Sequence, residues 1–222
     1  VSPGAISMAE DPIPAHVSQY LDRLTPPRHA ELQAMEEKAA RTNFPIIGPA
    51  SGHFCYLLAR MIGARRIFEL GSGFGYSTAW FARAVQENGG GTVHHVVWND
   101  QLSQDARQHL TALGYSGIVQ YHVGEAVQAL RETEGPFDLI FNDIDKHGYP
   151  DSLPVIAEKL RPGGVLIVDN LLWHGRVLDQ RGYEEDADTQ GVLEFTRMIT
   201  TDNGWIASLV PIRDGLMVAY KV

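Results

Sequence analysis

Phe137-Asp-Leu-Ile-Phe141 runs straight into Asn142-Asp-Ile-Asp-Lys-His147, and 22 residues past His147 the apolar run Val165-Leu-Ile-Val168 is followed by Asp169-Asn170. Each apolar run has the short, nearly continuous pattern of a buried strand. Between them Ser152 to Leu160 has helical spacing, and Pro162-Gly163-Gly164 reads as a stop. A strand, helix, strand unit of this kind makes parallel strands. In an open parallel sheet, ligands sit outside the carboxyl ends of the strands. Asp143, Asp145, Asp169 and Asn170 all fall at that edge.

Three carboxylates and an amide oxygen brought together repel one another unless a cation is present. All-oxygen ligation suits a hard ion such as Mg²⁺ or Ca²⁺. Asp and Asn are also common strand-end caps and turn residues, so both readings stand on this local pattern. A second signal lies upstream, in Arg66-Ile-Phe-Glu-Leu-Gly-Ser-Gly-Phe-Gly-Tyr-Ser-Thr78. There a short apolar strand meets Gly71, Gly73 and Gly75, and a helical pattern begins near Tyr76. Glycines at such a turn let the backbone approach a ligand closely. The spacing Gly-x-Gly-x-Gly differs from the Gly-x-Gly-x-x-Gly of dinucleotide-binding folds. Glu69, just before the turn, would serve a pyrophosphate poorly and a cationic ligand well.

Together these motifs resemble the class I S-adenosylmethionine-dependent O-methyltransferases, in particular the cation-dependent group that includes catechol and caffeoyl-CoA O-methyltransferases. The resemblance runs from about Pro49 to the C-terminus. It implies a Rossmann-like, doubly wound α/β fold of seven mostly parallel strands with the last inserted antiparallel. Glu69-Leu-Gly-Ser-Gly-Phe-Gly-Tyr-Ser77 is similar to the family's first cofactor motif. The likeness implies backbone contacts from Gly71 and Gly73, a Ser77 hydroxyl on the methionine carboxylate, and Glu69, Ser72 and Asp143 beside the cofactor. Asn142-Asp-Ile-Asp-Lys146 resembles the metal and base motif. By that resemblance Asp143, Asp169 and Asn170 hold the metal, Mg²⁺ or another divalent cation such as Mn²⁺ or Ca²⁺, and Lys146 is the catalytic base. Asp145 is held as a nearby helper. Asn43 to Pro49, including Ile47, would line the methionine end, and Glu125 and Ala126 after the third strand would offer backbone contacts on the adenine side.

Two positions depart from the family pattern. Where relatives end the second strand in an acid that holds the cofactor ribose, this chain has Val97, so Asn99 or Asp100 would supply the acceptor. A glutamate common before the glycine of the third helix is Ser51 here. The implied chemistry is methyl transfer from a sulfonium to a phenolic oxygen, with two adjacent hydroxyls held on the metal and Lys146 taking the proton. Trp173 is expected to wall the aromatic acceptor, with Tyr149 and Tyr183 both as weaker candidates for the same wall. Two other readings share the motifs: methylation of a hydroxylated uridine in tRNA, and cofactor binding without catalysis.

Composition sets the outer bounds. A chain of 222 residues, 44% hydrophobic, can bury one sizeable core. Net charge is −9, which disfavours a nucleic acid partner; the small phenolic partner is what the resemblance implies. No run of about 18 apolar residues suggests a membrane span, and no signal pattern opens the chain. One cysteine, Cys55, excludes an intrachain disulfide and fits a cytoplasmic protein. His94 and His95 are adjacent on a strand, point to opposite faces and cannot share a metal.

Along the chain, residues 1–14 read as an arm with three prolines, followed by a single domain over 15–222. Its N-terminal helices, within 15–48, are expected at Ala15 to Leu24 and Pro27 to Thr42, and they would supply the interface of the homodimer that the resemblance implies. The α/β core, 49–222, opens with a helix from Ala50 to Ile62. Strands are then expected near Arg66 to Leu70, Val93 to Trp98, Ile118 to His122, Phe137 to Phe141 and Val165 to Val168. A helix near Thr189 to Thr200 and strands at Trp205 to Val210 and Gly215 to Lys221 close the chain.

Overall fold

Strand and helix alternate in the computed structural model, which describes residues 12–179 and 183–222. The first eleven residues of the expected N-terminal arm therefore lie outside the described residues. Three helices lead in: α1 (Ala15–Leu24), α2 (Ala30–Thr42) and α3 (Gly48–Met61). Then come β1 (Arg66–Leu70), α4 (Tyr76–Glu87), β2 (Thr92–Val97), α5 (Asp100–Ala112), β3 (Val119–Val123) and α6 (Ala126–Glu132). The second half holds β4 (Phe137–Asn142), α7 (Tyr149–Lys159), β5 (Leu160–Val168), α8 (Ala187–Thr201), β6 (Trp205–Val210) and β7 (Leu216–Lys221).

The strands form one sheet in the order β3-β2-β1-β4-β5-β7-β6. β1 through β5 pair parallel, and β7 is inserted antiparallel between β5 and β6. The order reverses between β1 and β4, which opens a crevice at their carboxyl ends. Successive side chains of the central strands enter opposite layers. Ile67, Leu139, Phe141, Val165 and Ile167 pack with Trp80, Phe81 and Leu110 on one face. Phe68, Leu70, Ile140, Leu166 and Val168 pack with Ile156, Phe195 and Ile199 on the other. Burial on both faces is why these strands read as continuous apolar runs rather than alternating ones. No described helix is long and apolar enough to cross a membrane.

Several boundaries differ from the sequence reading, each for a local reason. α2 begins at Ala30 rather than Pro27, because His29 Nδ1 accepts the Glu31 amide at 3.1 Å and caps the helix there. α7 begins at Tyr149 rather than Ser152, with proline in its first turn, where the missing N–H costs nothing. The expected stop at Pro162-Gly163-Gly164 lies inside β5, since the helix already ends at Lys159 and Leu160 pairs with Phe137.

Candidate active site

The glycine turn after β1 is built for contact between strands. Gly71 has φ +83°, and a side chain there would lie 2.3 Å from the Asp143 carbonyl oxygen, so only glycine lets the ends of β1 and β4 meet. Asp143 N donates to Leu70 O at 2.8 Å, and Ser72 N donates to Val96 O at 2.9 Å. The turn is thereby fixed to both neighbouring strands. Over it opens a cleft of about 520 Å³, with Gly71, Gly73, Phe44 and Ile46 on one side and Asp143, Lys146, Asp169, Asn170 and Trp173 on the other. A smaller recess beside it is lined by Ile47, Ser72, Ser77 and again Gly71, Gly73 and Asp143.

The sequence motifs converge at the β4–β5 edge. Lys146 Nζ donates to Asp143 Oδ1 at 2.8 Å and to Ile144 O at 3.1 Å, and the residue is only 8% exposed. Its ammonium lies 5.2 Å from the Tyr149 ring centre and 5.8 Å from that of Trp173, within reach of a cation–π attraction. Asp169 is 1% exposed, and burial, followed by the nearby charge of Asp143, pushes its carboxyl up to about 7. Its Oδ1 accepts the Asn170 amide at 2.8 Å, and its Oδ2 faces Arg213 Nη1 at 3.2 Å. Asn170, at φ +63°, donates Nδ2 to Asp214 Oδ2 at 3.2 Å, which leaves its side-chain oxygen for another partner. No third acid, histidine or thiol joins as a metal cage among the described residues.

Two residues here escaped the sequence reading, Arg213 and Asp214. They sit in the turn between β6 and β7, and the inserted strand β7 carries that turn to the end of β5. Leu172 N donates to Asp214 O, and Leu171 N to Gly215 O. The buried Asp214 also accepts the His174 amide at 2.7 Å. The signal in the sequence was a charged pair, Arg213-Asp214, in an otherwise apolar hairpin. Nothing local reveals where that hairpin inserts.

Other expected site residues stand elsewhere. Tyr149, expected as an acceptor wall, is 0% exposed and donates its hydroxyl to Asp169 O at 2.9 Å. It forms the floor beneath Lys146 and is sealed by Phe195, so no acceptor can touch it. Tyr183 stacks with Arg176 and is not part of the cleft lining. Trp173 does line the cleft, its indole nitrogen donating to Thr189 Oγ1 at 3.1 Å. His147 is fastened to Asp188 by its amide and its ring, 2.9 and 3.0 Å away. Asp145 is exposed at the cleft rim.

At the opposite end of the cleft, Asn99 and Asp100 are otherwise employed. Asn99 Oδ1 caps α5 by accepting the Gln101 and Leu102 amides at 2.8 and 3.2 Å. Asp100 Oδ2 accepts from Gln104 at 2.6 Å. Neither lines the cleft; Val97, Trp98 and Leu102 do, with Trp98 69% exposed. The Glu125 side chain likewise caps α6 through the Val127 and Gln128 amides, the Ala126 side chain packs into the core, and neither residue belongs to the cleft lining. Glu69 faces inward as well. Its register partner on β2 is His95, and Thr78 Oγ1 donates to the Glu69 carboxylate while standing 3.0 Å from His95 Nδ1. Burial lifts Glu69 to about 7, against the lowering hydroxyls of Thr78, Ser77 and Ser72. This buried chain stiffens the glycine turn from behind rather than reaching the cleft.

The family model for O-methyltransferases matches residues 22–222. This chain belongs to that family. Among curated relatives, the catechol O-methyltransferase of Niastella koreensis is 31% identical over 214 residues, covering 91% of this chain and 95% of its own. Among solved structures, the O-methyltransferase from Bacillus cereus in complex with SAH superposes with a TM-score of 0.83 at 29% identity, covering 93% of this chain and 97% of that one. The Streptomyces achromogenes O-methyltransferase involved in tomaymycin synthesis, in complex with SAM, gives a TM-score of 0.82 at 29% identity, over 93% and 96% of the two chains. The seven-stranded Rossmann-like methyltransferase sheet is common to them.

Proposed function

We propose that this O-methyltransferase uses S-adenosylmethionine and a divalent cation, Mg²⁺ or a substitute such as Mn²⁺ or Ca²⁺, to methylate small aromatics bearing two adjacent hydroxyls. The observation that carries the reading is the meeting of Asp143, Lys146, Asp169 and Asn170 on one wall of the cleft, facing the glycine turn. The donor reading is supported by the turn and its recess, and by the SAH and SAM held in the two similar structures. The acceptor reading is supported by the half-buried Trp173 in the cleft lining and by the relative named for catechol.

The residues fit a hard cation. Two carboxylates lie close enough that one raises the other, and the Asn170 amide is turned so that its oxygen remains unpledged. When bound, such an ion supplies a positive charge that orients adjacent hydroxyls and favours the phenolate. Gly71 and Gly73 bring backbone against the donor, and Ser77 lies in the recess expected to take its methionine end. Trp173, in the cleft lining, would wall the acceptor. Lys146 Nζ, having first given up its own proton, would take the proton of the acceptor hydroxyl, and the sulfonium donor would supply the methyl group and keep the electrons of the broken C–S bond. The low exposure of Lys146 keeps bulk water from competing for that proton.

The test is incubation with S-adenosylmethionine and a panel of catechols, with Mg²⁺ or with EDTA, read by mass spectrometry. Methylated product that vanishes with EDTA and with Lys146→Ala is the expected result. Cofactor binding without product on any catechol would sink the acceptor assignment. Self-association is proposed separately, from the exposed Val17, Tyr20 and Leu24 of α1, and light scattering tests it.

A further inference from the structure

Arg213 occupies a place that the proposed chemistry does not require. It sits in the β6–β7 turn at φ +53°, a left-handed conformation that an L-residue adopts only at some cost. Its guanidinium is fixed on Asp169 Oδ2 at 3.2 Å, while Oδ1 of the same carboxylate is already taken by the Asn170 amide. The oxygen of the most buried acid in the cluster that the backbone leaves free is therefore covered by a cation from the chain itself. Asp143 is covered in the same way by Lys146. Both carboxylates expected to hold a metal thus carry their own positive partner.

The two ends of the Arg213–Asp169 pair differ in freedom. The aspartate side chain is 1% exposed and anchored by backbone, whereas the arginine side chain is 38% exposed. Arg213 also borders a second cavity of about 330 Å³, between α1 and the Ile47–Ser51 segment, where Ser18, Gln19 and Asp22 supply polar lining. A guanidinium leaving Asp169 has polar space with a carboxylate beside it, so the arginine is the partner able to move.

We propose that Arg213 is a resident counter-ion that a divalent cation must displace from Asp169, so that it sets the threshold of metal affinity at this site. The idea rests on the metal reading above. Arg213 neutralises Asp169 when no metal is bound, which spares the fold an unpaired buried carboxylate. The same charge opposes an arriving dication at close range and lowers its affinity. A partner held against a metal ligand commonly changes metal affinity by about ten- to a hundredfold, here in the weakening direction.

The test is titration calorimetry of the whole chain with MnCl₂ and with MgCl₂, in the absence of donor and acceptor. Arg213→Ala is expected to bind each metal about tenfold more tightly than the unaltered chain, and Arg213→Lys to fall between. Arg213→Gly, which also relieves the positive φ, guards against a folding defect, and circular dichroism melts check each variant. Asp169→Asn should abolish the signal, assigning the heat to this site. Metal binding that is equal or weaker in both Arg213→Ala and Arg213→Gly overturns the proposal while leaving the metal reading intact. Absence of binding in the unaltered chain and every variant would overturn both.

Discussion

The two ends of the cleft are built on opposite principles. At the β4–β5–β7 end, Asp143, Lys146, Asp169, Asn170, Arg213 and Asp214 form a chain of charge-assisted contacts, much of it buried. At the β2 end, the polar side chains are consumed in capping α5, and the cleft is walled by Val97, Trp98 and Leu102. One end can change protonation and charge; the other offers shape and apolar surface. Substitutions at the first should act on turnover and metal affinity, and at the second on cofactor affinity alone.

The largest effect belongs to Lys146. Lys146→Ala removes the proposed base and the ion-pair partner of the partly buried Asp143, and general-base contributions run to about 10²–10⁴ in rate. Turnover should fall by that factor with the dissociation constant for S-adenosylhomocysteine nearly unchanged. A matched loss of cofactor affinity would show that the two ends are not separable.

Glu69 tests the support beneath both ends. Its folded pKa, raised to about 7 by burial, exceeds the ordinary 4.5. The folded protein therefore holds a proton that the unfolded chain releases between these values. Stability from this group is complete below about pH 4.5 and is lost as pH rises through about 7. The shift corresponds to a loss on the order of 3 kcal/mol. Asp169 titrates in the same sense, so the informative quantity is the difference between the unaltered chain and Glu69→Gln. Chemical denaturation at pH 4.5 and 8 should show the unaltered chain losing stability relative to the variant. Parallel curves would refute the raised pKa.

How far these regions could be read in advance follows from where their information lies. The β4 and β5 runs and the acids after them are contiguous in sequence, so the sheet edge and Asp143, Lys146, Asp169 and Asn170 were legible from periodicity and spacing. Arg213 and Asp214 were not, because they arrive through the insertion of β7 between β5 and β6, a long-range pairing without local trace. Tyr149 misled for a related reason. It follows Lys146 by three residues, but the intervening 3-10 turn directs it under the lysine, into the α8 layer. Asn99 and Asp100 have the chemistry of ligand acceptors and also that of residues at a helix start, and α5 claims them.

Asp214 gives a smaller effect at the charged end. It touches neither proposed reactant and acts by turning the Asn170 amide and holding the His174 backbone. Asp214→Ala should weaken Mn²⁺ binding by about ten- to a hundredfold, the range for lost support of a metal ligand. Turnover at saturating metal should recover most of its value. Failure to recover would mean that Asp214 shapes the acceptor site directly.

The smallest expected effect lies at the apolar end and bears most directly on the contrast. Asn99 and Asp100 lie outside the cleft lining, and Trp98 is the broadest aromatic surface at this end, largely exposed; the purine of the proposed donor is expected to stack on it. Stacking of a base on an aromatic side chain is worth about 1–3 kcal/mol, and an exposed ring belongs at the low end. Trp98→Ala should therefore weaken S-adenosylhomocysteine binding by about fivefold, close to 1 kcal/mol, with no change in metal affinity. The loss should persist at high salt, since no ion pair is involved. A loss that grew or vanished with ionic strength would instead place a charged group at this end. The division of the cleft into a charged half and a shaped half would then fail at its quieter side.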